Sequence, residues 1–287
     1  MQHADSIPQR GGPSSSQRIM LRPKHGWQAI DLRELWNYRE LLWILTLRDV
    51  KVRYKQTALG ALWAIIQPLL STIIFTLVFA RLAQLPTDGV PAPLFYYCGM
   101  LPWQLFANSL TNAGNSLIGN QNLITKVYFP RLAIPISAVI TGLIDFAIAF
   151  SILLVMMLYY HWPISATILL MPFFVILTFL AALGAGLWLS ALNVEFRDVR
   201  YIIPFLTQFW FYATPIVYPS SLAKQQWKRN LMGINPLSGA VEGFRWSVLG
   251  KSPPNVMLLV SVVTILVVLV GGLFYFRRME KTFADLV

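Results

Sequence analysis

Six long apolar stretches separated by polar loops organise the chain, at about 59–80, 94–118, 132–160, 164–192, 201–218 and 256–276. Most reach the roughly twenty residues that carry an α-helix across a bilayer core of about 30 Å. The second is expected to break at Pro102, and the third is long enough to tilt or protrude. Ahead of the first, Leu32, Leu35, Trp36, Leu42 and Trp43 recur at helical spacing, with Arg33, Glu34, Asn37 and Glu40 elsewhere around the helix. This predicts an amphipathic helix over 31–47, lying at the membrane–water interface, which suits its tryptophans, or packed on the bundle. Residues 1–30 and 281–287 are expected as cytoplasmic tails, the first disordered where 6–16 is rich in Pro, Gly and Ser. The loop 219–254 holds Asn235-Pro236 and the modestly apolar Ala240–Leu249, too short to span. It reads as a re-entrant or interfacial helix pair, tolerated at membrane depth only where its backbone is buried or lines a water-filled cavity.

Composition agrees with an all-α membrane protein of six spans, with one transmembrane domain over 31–280. The chain is 56% hydrophobic and 12% charged, about half the charge of a soluble domain. Its net charge of +11 is absorbed by anchors at the membrane edges, so nucleic-acid binding is excluded and contact with anionic lipid is expected. With the N-terminus inside, the inner side holds seventeen of the 23 Lys and Arg. Both termini are therefore expected in the cytoplasm.

Little catalytic chemistry is present. Cys98 is the single cysteine and reads as a packing residue, and His3, His25 and His161 lack metal-ligand spacing. The first thirty residues lack the apolar core of a cleavable signal peptide. Asp145 is the one clear intramembrane charge, read as an acid without a basic partner. That scarcity argues against a proton-coupled carrier and against an intramembrane enzyme. Leu249-Gly250-Lys251-Ser252 resembles the end of a phosphate loop, but Arg245 stands where its first Gly belongs, so no ATP site is expected on this chain. Gly184-Ala185-Gly186 reads as close helix packing.

Four local patterns remain. A basic cluster, Arg48, Lys51, Arg53 and Lys55, abuts a small-residue turn and the first span. The inner loop 120–131, NQNLITKVYFPR, is either a short helix fit to press into a cytosolic partner or a plain connection. In the loop 193–200, Glu195, Arg197, Asp198 and Arg200 can pair with one another. Aromatic residues crowd the first, second and fifth stretches, culminating in QFWFYATPIVY at 208–218, where Pro215 ends the helix. Aromatic faces stack on the C–H faces of sugars; the ordinary alternative is an interfacial belt or helix packing.

Four segments together carry a family likeness: RDVKVRYKQTALGALWAIIQPL at 48–69, FYYCGMLPWQLFANSLTNAGNSLIGNQNLITKVYFPR at 95–131, NVEFRDVRYIIPFLTQFWFYATPIVYP at 193–219 and NPLSGAVEGFRW at 235–246. In this order they resemble the permease subunit of ABC type-2 exporters for O-antigen, teichoic acid and capsule. The resemblance implies a homodimer in the bacterial cytoplasmic (inner) membrane, with two separate ABC ATPase subunits that hold the ATP and Mg. It implies that the chain binds no cofactor and moves a lipid-linked glycan, O-antigen foremost. The substrate path would be lined by Trp63, Phe75, Phe79, Tyr96, Tyr97, Trp103, Phe106, Phe209, Trp210, Tyr212 and Tyr218. The lipid pyrophosphate would meet Arg48, Lys51, Arg53 and Lys55, and the ATPase would meet Asn122, Lys126, Tyr128 and Arg131. The tail before residue 30 departs from the family pattern. Two alternatives stand: a small-molecule exporter of the same architecture, which would tolerate Leu at Trp210 and Tyr212, and a membrane-embedded glycan-modifying enzyme, which would act without an ATPase.

Overall fold

The computed structural model describes residues 36–55, 62–127, 129–222, 225–251, 253, 255–280 and 282–283. Every regular element among them is helical. In chain order they are α1 (Arg39–Lys55), α2 (Trp63–Phe75), α3 (Ala92–Gly119), α4 (Gln121–Lys126), α5 (Ala133–Tyr159), α6 (Met171–Glu195), α7 (Val199–Ala213), α8 (Gln226–Met232), α9 (Pro236–Leu249) and α10 (Val256–Met279). Wider π-type turns extend α2 to Leu82, and a 3-10 turn from Ala166 leads into α6. Four segments are long and apolar enough to cross a membrane: Trp63–Leu82, Ala133–Tyr159, Ala166–Glu195 and Val256–Met279.

The hub is α3. It packs against α2, α5, α6, α7 and α9 and is buried over most of its length. Neighbours screen much of it from the surroundings, which suits the Tyr and Ser side chains buried along it. The small residues in the middle of α6 set two close approaches. A Cβ on Gly186 would lie 2.7 Å from that of Ala113 on α3, and one on Gly184 would lie 2.8 Å from the Leu269 backbone on α10. Without side chains there, α6 wedges between the two helices.

Several expectations need correcting. The break at Pro102 is absent: α3 runs unbroken through it, with Pro102 buried among the neighbouring helices. Proline removes one backbone donor, and tertiary packing outweighs that loss here. The first helix extends to Lys55 instead of ending at 47, because nothing in RDVKVRYK interrupts a helix. It packs on α5, with Leu45 and Thr46 buried and Trp36 and Trp43 exposed; its predicted start at 31–35 lies outside the described residues. The helix expected over 201–218 stops at Ala213, where Thr214 turns extended ahead of Pro215. The tail 1–30 also lies outside the described residues. Phe283, assigned to the last tail, is buried with its ring 5.2 Å from that of Phe276.

Between α7 and α10, α9 is buried almost end to end against α3, α6 and α10. The Asn235 side chain accepts from the Leu237 amide at 3.0 Å to cap it, Pro236 opens it, and Gly250 ends it in the left-handed conformation at φ 69°.

Candidate functional site

Seven of the expected path aromatics join one cluster across α2, α3 and α7. Phe79 meets Phe75 at 5.6 Å between ring centres, and Phe75 meets Tyr96 at 6.4 Å and Phe211 at 5.6 Å. Trp103 meets Phe211 at 5.4 Å and Phe106 at 5.8 Å. Phe106 meets Trp210 at 5.0 Å, and Phe211 meets Tyr212 at 5.4 Å. Most pairs are edge to face, the arrangement aromatic quadrupoles favour. The Trp210 indole donates to Asn235 Oδ1 at 2.8 Å, tying the cluster to the start of α9. Tyr96, Trp103 and Phe106 form its buried wall, and Tyr212 at its end is 64% exposed; Phe209, 65% exposed on α7, makes no ring contact with the cluster among the described residues.

The remaining path residues lie elsewhere. Tyr97 turns the other way and donates to the Ala149 carbonyl on α5 at 2.9 Å. Trp63 borders a separate cavity, and Tyr218 packs half-buried in the loop after α7. Phe211, which joins α2, α3 and α7, stands at the centre of the QFWFYATP run but was not singled out as a path residue.

The four basic residues ahead of the first span occupy the last turns of α1. Arg48 pairs with its neighbour Asp49 at 2.7 Å. Arg53 and Tyr54 both donate to Asp145 on α5. Asp145 therefore has a basic partner, contrary to the sequence reading; the two residues are 92 positions apart and local pattern does not link them. Burial, reinforced by the Asp145 hydrogen bond, pushes the Tyr54 phenol well above its usual value, so it stays a neutral donor. With Arg48 and Arg53 each facing a carboxylate, the surplus positive charge falls on the exposed Lys51 and Lys55. Beside this clamp opens a cavity of about 600 Å³ between α1, α2, α3 and α5, bordered by Arg53, Tyr54, Trp63, Gln67 and Asp145.

In the inner loop, α4 exposes Asn122 and Lys126 and buries Ile124. Tyr128 lies outside the described residues. Arg131 faces the end of α10: its guanidinium donates to the Glu280 backbone carbonyl, and its amide donates to Glu280 Oε1 at 3.2 Å. Arg277 holds the same carboxylate at 2.9 Å. Among the described residues, no two of Glu195, Arg197, Asp198 and Arg200 form an ion pair; Glu195 accepts from Tyr275 at 3.3 Å.

A second charged site escaped the sequence reading. Glu242 and Arg245 on α9 pair at 3.1 Å while almost wholly buried. Arg245 also donates to the Ile216 carbonyl at 2.9 Å and lies 3.9 Å over the Phe95 ring. Glu242 accepts from the Ser220 amide at 3.0 Å and hydroxyl at 3.1 Å. The i, i+3 spacing on a helix-compatible segment was the available signal.

Comparison with known proteins completes the picture. The family model described as ABC-2 type transporter matches residues 40–249. The chain is 32% identical over 255 residues to the O-antigen export system permease protein RfbA of Myxococcus xanthus, covering 87% of this chain and 96% of that protein. It is 30% identical to the protein of the same name from Klebsiella pneumoniae, covering 86% and 95%. It is 26% identical to the polysialic acid transport protein KpsM of Escherichia coli, covering 83% and 92%. With apolar helices of spanning length and a family match over most of its length, the chain is a multi-pass membrane protein that belongs to the ABC-2 type transporter family.

Proposed function

We propose that the chain is the permease subunit of an ATP-driven exporter that moves a lipid-linked polysaccharide, O-antigen foremost, out across the inner membrane. The relatives named for O-antigen export and polysialic acid transport support this. The observation that carries it is the continuous aromatic cluster of α2, α3 and α7, which ends in the exposed Tyr212. Its partly open rings, Phe75, Phe79, Trp210, Phe211 and Tyr212, backed by the buried wall, let a polymer slide without one tight site.

In this reading six helices cross, α2, α3, α5, α6, α7 and α10, with both termini in the cytoplasm. At about 1.5 Å per residue, α3 is long enough. The shorter α7 crosses together with the extended residues after it, while α8 and α9 form a re-entrant pair on the outer side. Two copies enclose the path. Two separate ATPase subunits hold the ATP and Mg and press on α4 through Asn122 and Lys126, and the Arg131–Glu280 contact passes that push to α10. The lipid pyrophosphate meets Lys51 and Lys55 first, as charge-assisted partners.

The test is a deletion strain in which surface glycan and internal lipid-linked glycan are both measured. Loss of surface polymer with accumulation of lipid-linked polymer inside supports the reading and names the glycan. Surface glycan unchanged in amount and composition overturns it.

A further inference from the structure

The cavity beside the Arg53–Asp145 clamp has an unusual lining. Gln104, Asn108 and Asn112 follow one another at four-residue spacing on α3, and Gln67 faces them from α2. On a helix that spacing stacks the three amides in a column about 12 Å tall. None of the four side-chain amides bonds to another described residue, and Gln104 Nε2 is fully buried without a partner among them. Elsewhere the protein does use its amides. Asn115 and Asn120, at the end of the same helix, donate to carbonyls four residues back at 2.9 and 2.8 Å. Asn193 ties α6 to α3 at 2.9 Å, and Asn235 caps α9 at 3.0 Å. The buried Gln104 Nε2 is unfavourable without a partner, and with the half-buried Asn108 and Asn112 and the exposed Gln67 turned to the same space, the lining points to a polar ligand that completes them.

We infer that this cavity is a carbohydrate subsite, in which the amide column of Gln104, Asn108 and Asn112, with Gln67 opposite, binds hydroxyls of the glycan's lipid-proximal sugars. Each amide supplies both a donor and an acceptor, as each sugar hydroxyl does. The exposed Trp63 gives an aromatic face on the same cavity. A volume of about 600 Å³ lies within the range of about 300–1,000 Å³ usual for small-ligand sites. Arg53 borders the same space, so a sugar held there keeps the pyrophosphate to which it is linked near the basic end of α1. An acyl chain would leave all four amides unpaired and fits the lining poorly. This subsite rests on the proposed export function but is distinct from the aromatic cluster between α2, α3 and α7.

The test uses the full permease–ATPase complex, reconstituted in nanodiscs, and oligosaccharides released from the strain's own surface polymer. Binding is read from quenching of Trp63 fluorescence, isolated by difference against W63F. The subsite predicts that N108L and N112L each weaken binding by about tenfold or more, the loss expected when sugar hydroxyls and buried polar groups lose their partners. N108Q, which keeps an amide, should bind far more tightly than N108L. In the deletion strain, N108L and N112L should export less polymer at equal protein level. Should N108L fail to reach the membrane, Q104M keeps side-chain length and helix propensity and carries the same test.

If the leucine variants bind and export like wild type while the deletion strain loses its surface glycan, the export reading stands and the subsite falls. Unchanged sugar binding with more lipid copurifying also overturns the subsite, because the cavity then takes lipid. A deletion strain that keeps its surface glycan removes both.

Discussion

Two ion pairs sit among the apolar helices, and they are built for different ends. Glu242 and Arg245 belong to one short helix, three residues apart, and are almost wholly closed off. Their hydrogen bonds run to Ser220, Pro215 and Ile216 in the segment between α7 and α8. Arg53 and Asp145 come from two different helices and border a cavity, with the Arg53 side chain still 30% exposed. The first pair fixes a fold: it clamps an irregular backbone stretch onto a buried helix and satisfies the Pro215 and Ile216 carbonyls beyond the end of α7. The second holds α1 against α5 and leaves open space beside it. The surroundings therefore decide whether a buried charge works as a rivet or as part of a site.

Removing a charge from the closed pair should have the largest effect. R245A leaves Glu242 charged and buried and strips the Ile216 carbonyl of its donor, a loss of about 3–5 kcal/mol. A strongly lowered unfolding temperature in detergent, or loss of the protein from the membrane, checks it. Replacing both partners, E242L with R245M, should regain much of that loss, since an apolar pair leaves no uncompensated charge. A double variant no better than R245A would show that the backbone contacts, and not the ion pair, dominate.

G99A should come next. A Cβ there would run into Arg245 Nη2 and lie 3.2 Å from the Ile216 carbonyl. Overpacking of this kind costs about 1–3 kcal/mol. The loss should shrink in the E242L/R245M background, where the guanidinium is gone, and equal losses in both backgrounds would remove Arg245 as the obstacle.

The open pair should give the smallest change in stability. D145N keeps one of the two acceptor oxygens, turns the other into an amide donor that faces Arg53 or Tyr54, and removes the charge of a partly exposed pair, a loss of about 1–1.5 kcal/mol. Export should nonetheless change, because the charge balance beside the cavity shifts. A D145N protein as unstable as R245A would erase the distinction between the two sites.

The sequence made the long elements legible. The stretch 94–118 forms a helix, α3, at Ala92–Gly119, and 132–160 forms α5 at Ala133–Tyr159, because helical length is set by local properties; of these two, α5 is also apolar enough to cross a membrane. The small-residue run at 184–186 was legible as well, since only close packing explains it. What remained hidden depends on which faces meet. Proline at 102 reads locally as a break, yet α3 continues through it among its packed neighbours. The partner of Asp145 lies across the fold. The burial of α9 was masked by its short length and its two charges, which cancel only once Ser220 and the carbonyls of Pro215 and Ile216 arrive. The aromatic residues were visible as a composition, but their division into a cluster, the outlying Tyr97 and the cavity residue Trp63 was not. The amide column was overlooked because Asn and Gln in a predicted span read as tolerated polar residues; four-residue spacing was the signal.

Photocrosslinking in living cells tests the central claim, that a glycan passes along this chain, most directly. Benzoylphenylalanine replaces Tyr212, the exposed end of the aromatic cluster, and the irradiated protein is probed for attached polysaccharide. The account predicts a glycan-linked ladder that depends on an active ATPase partner. Crosslinks to lipid alone, in cells that are exporting polymer at a normal rate, would contradict it.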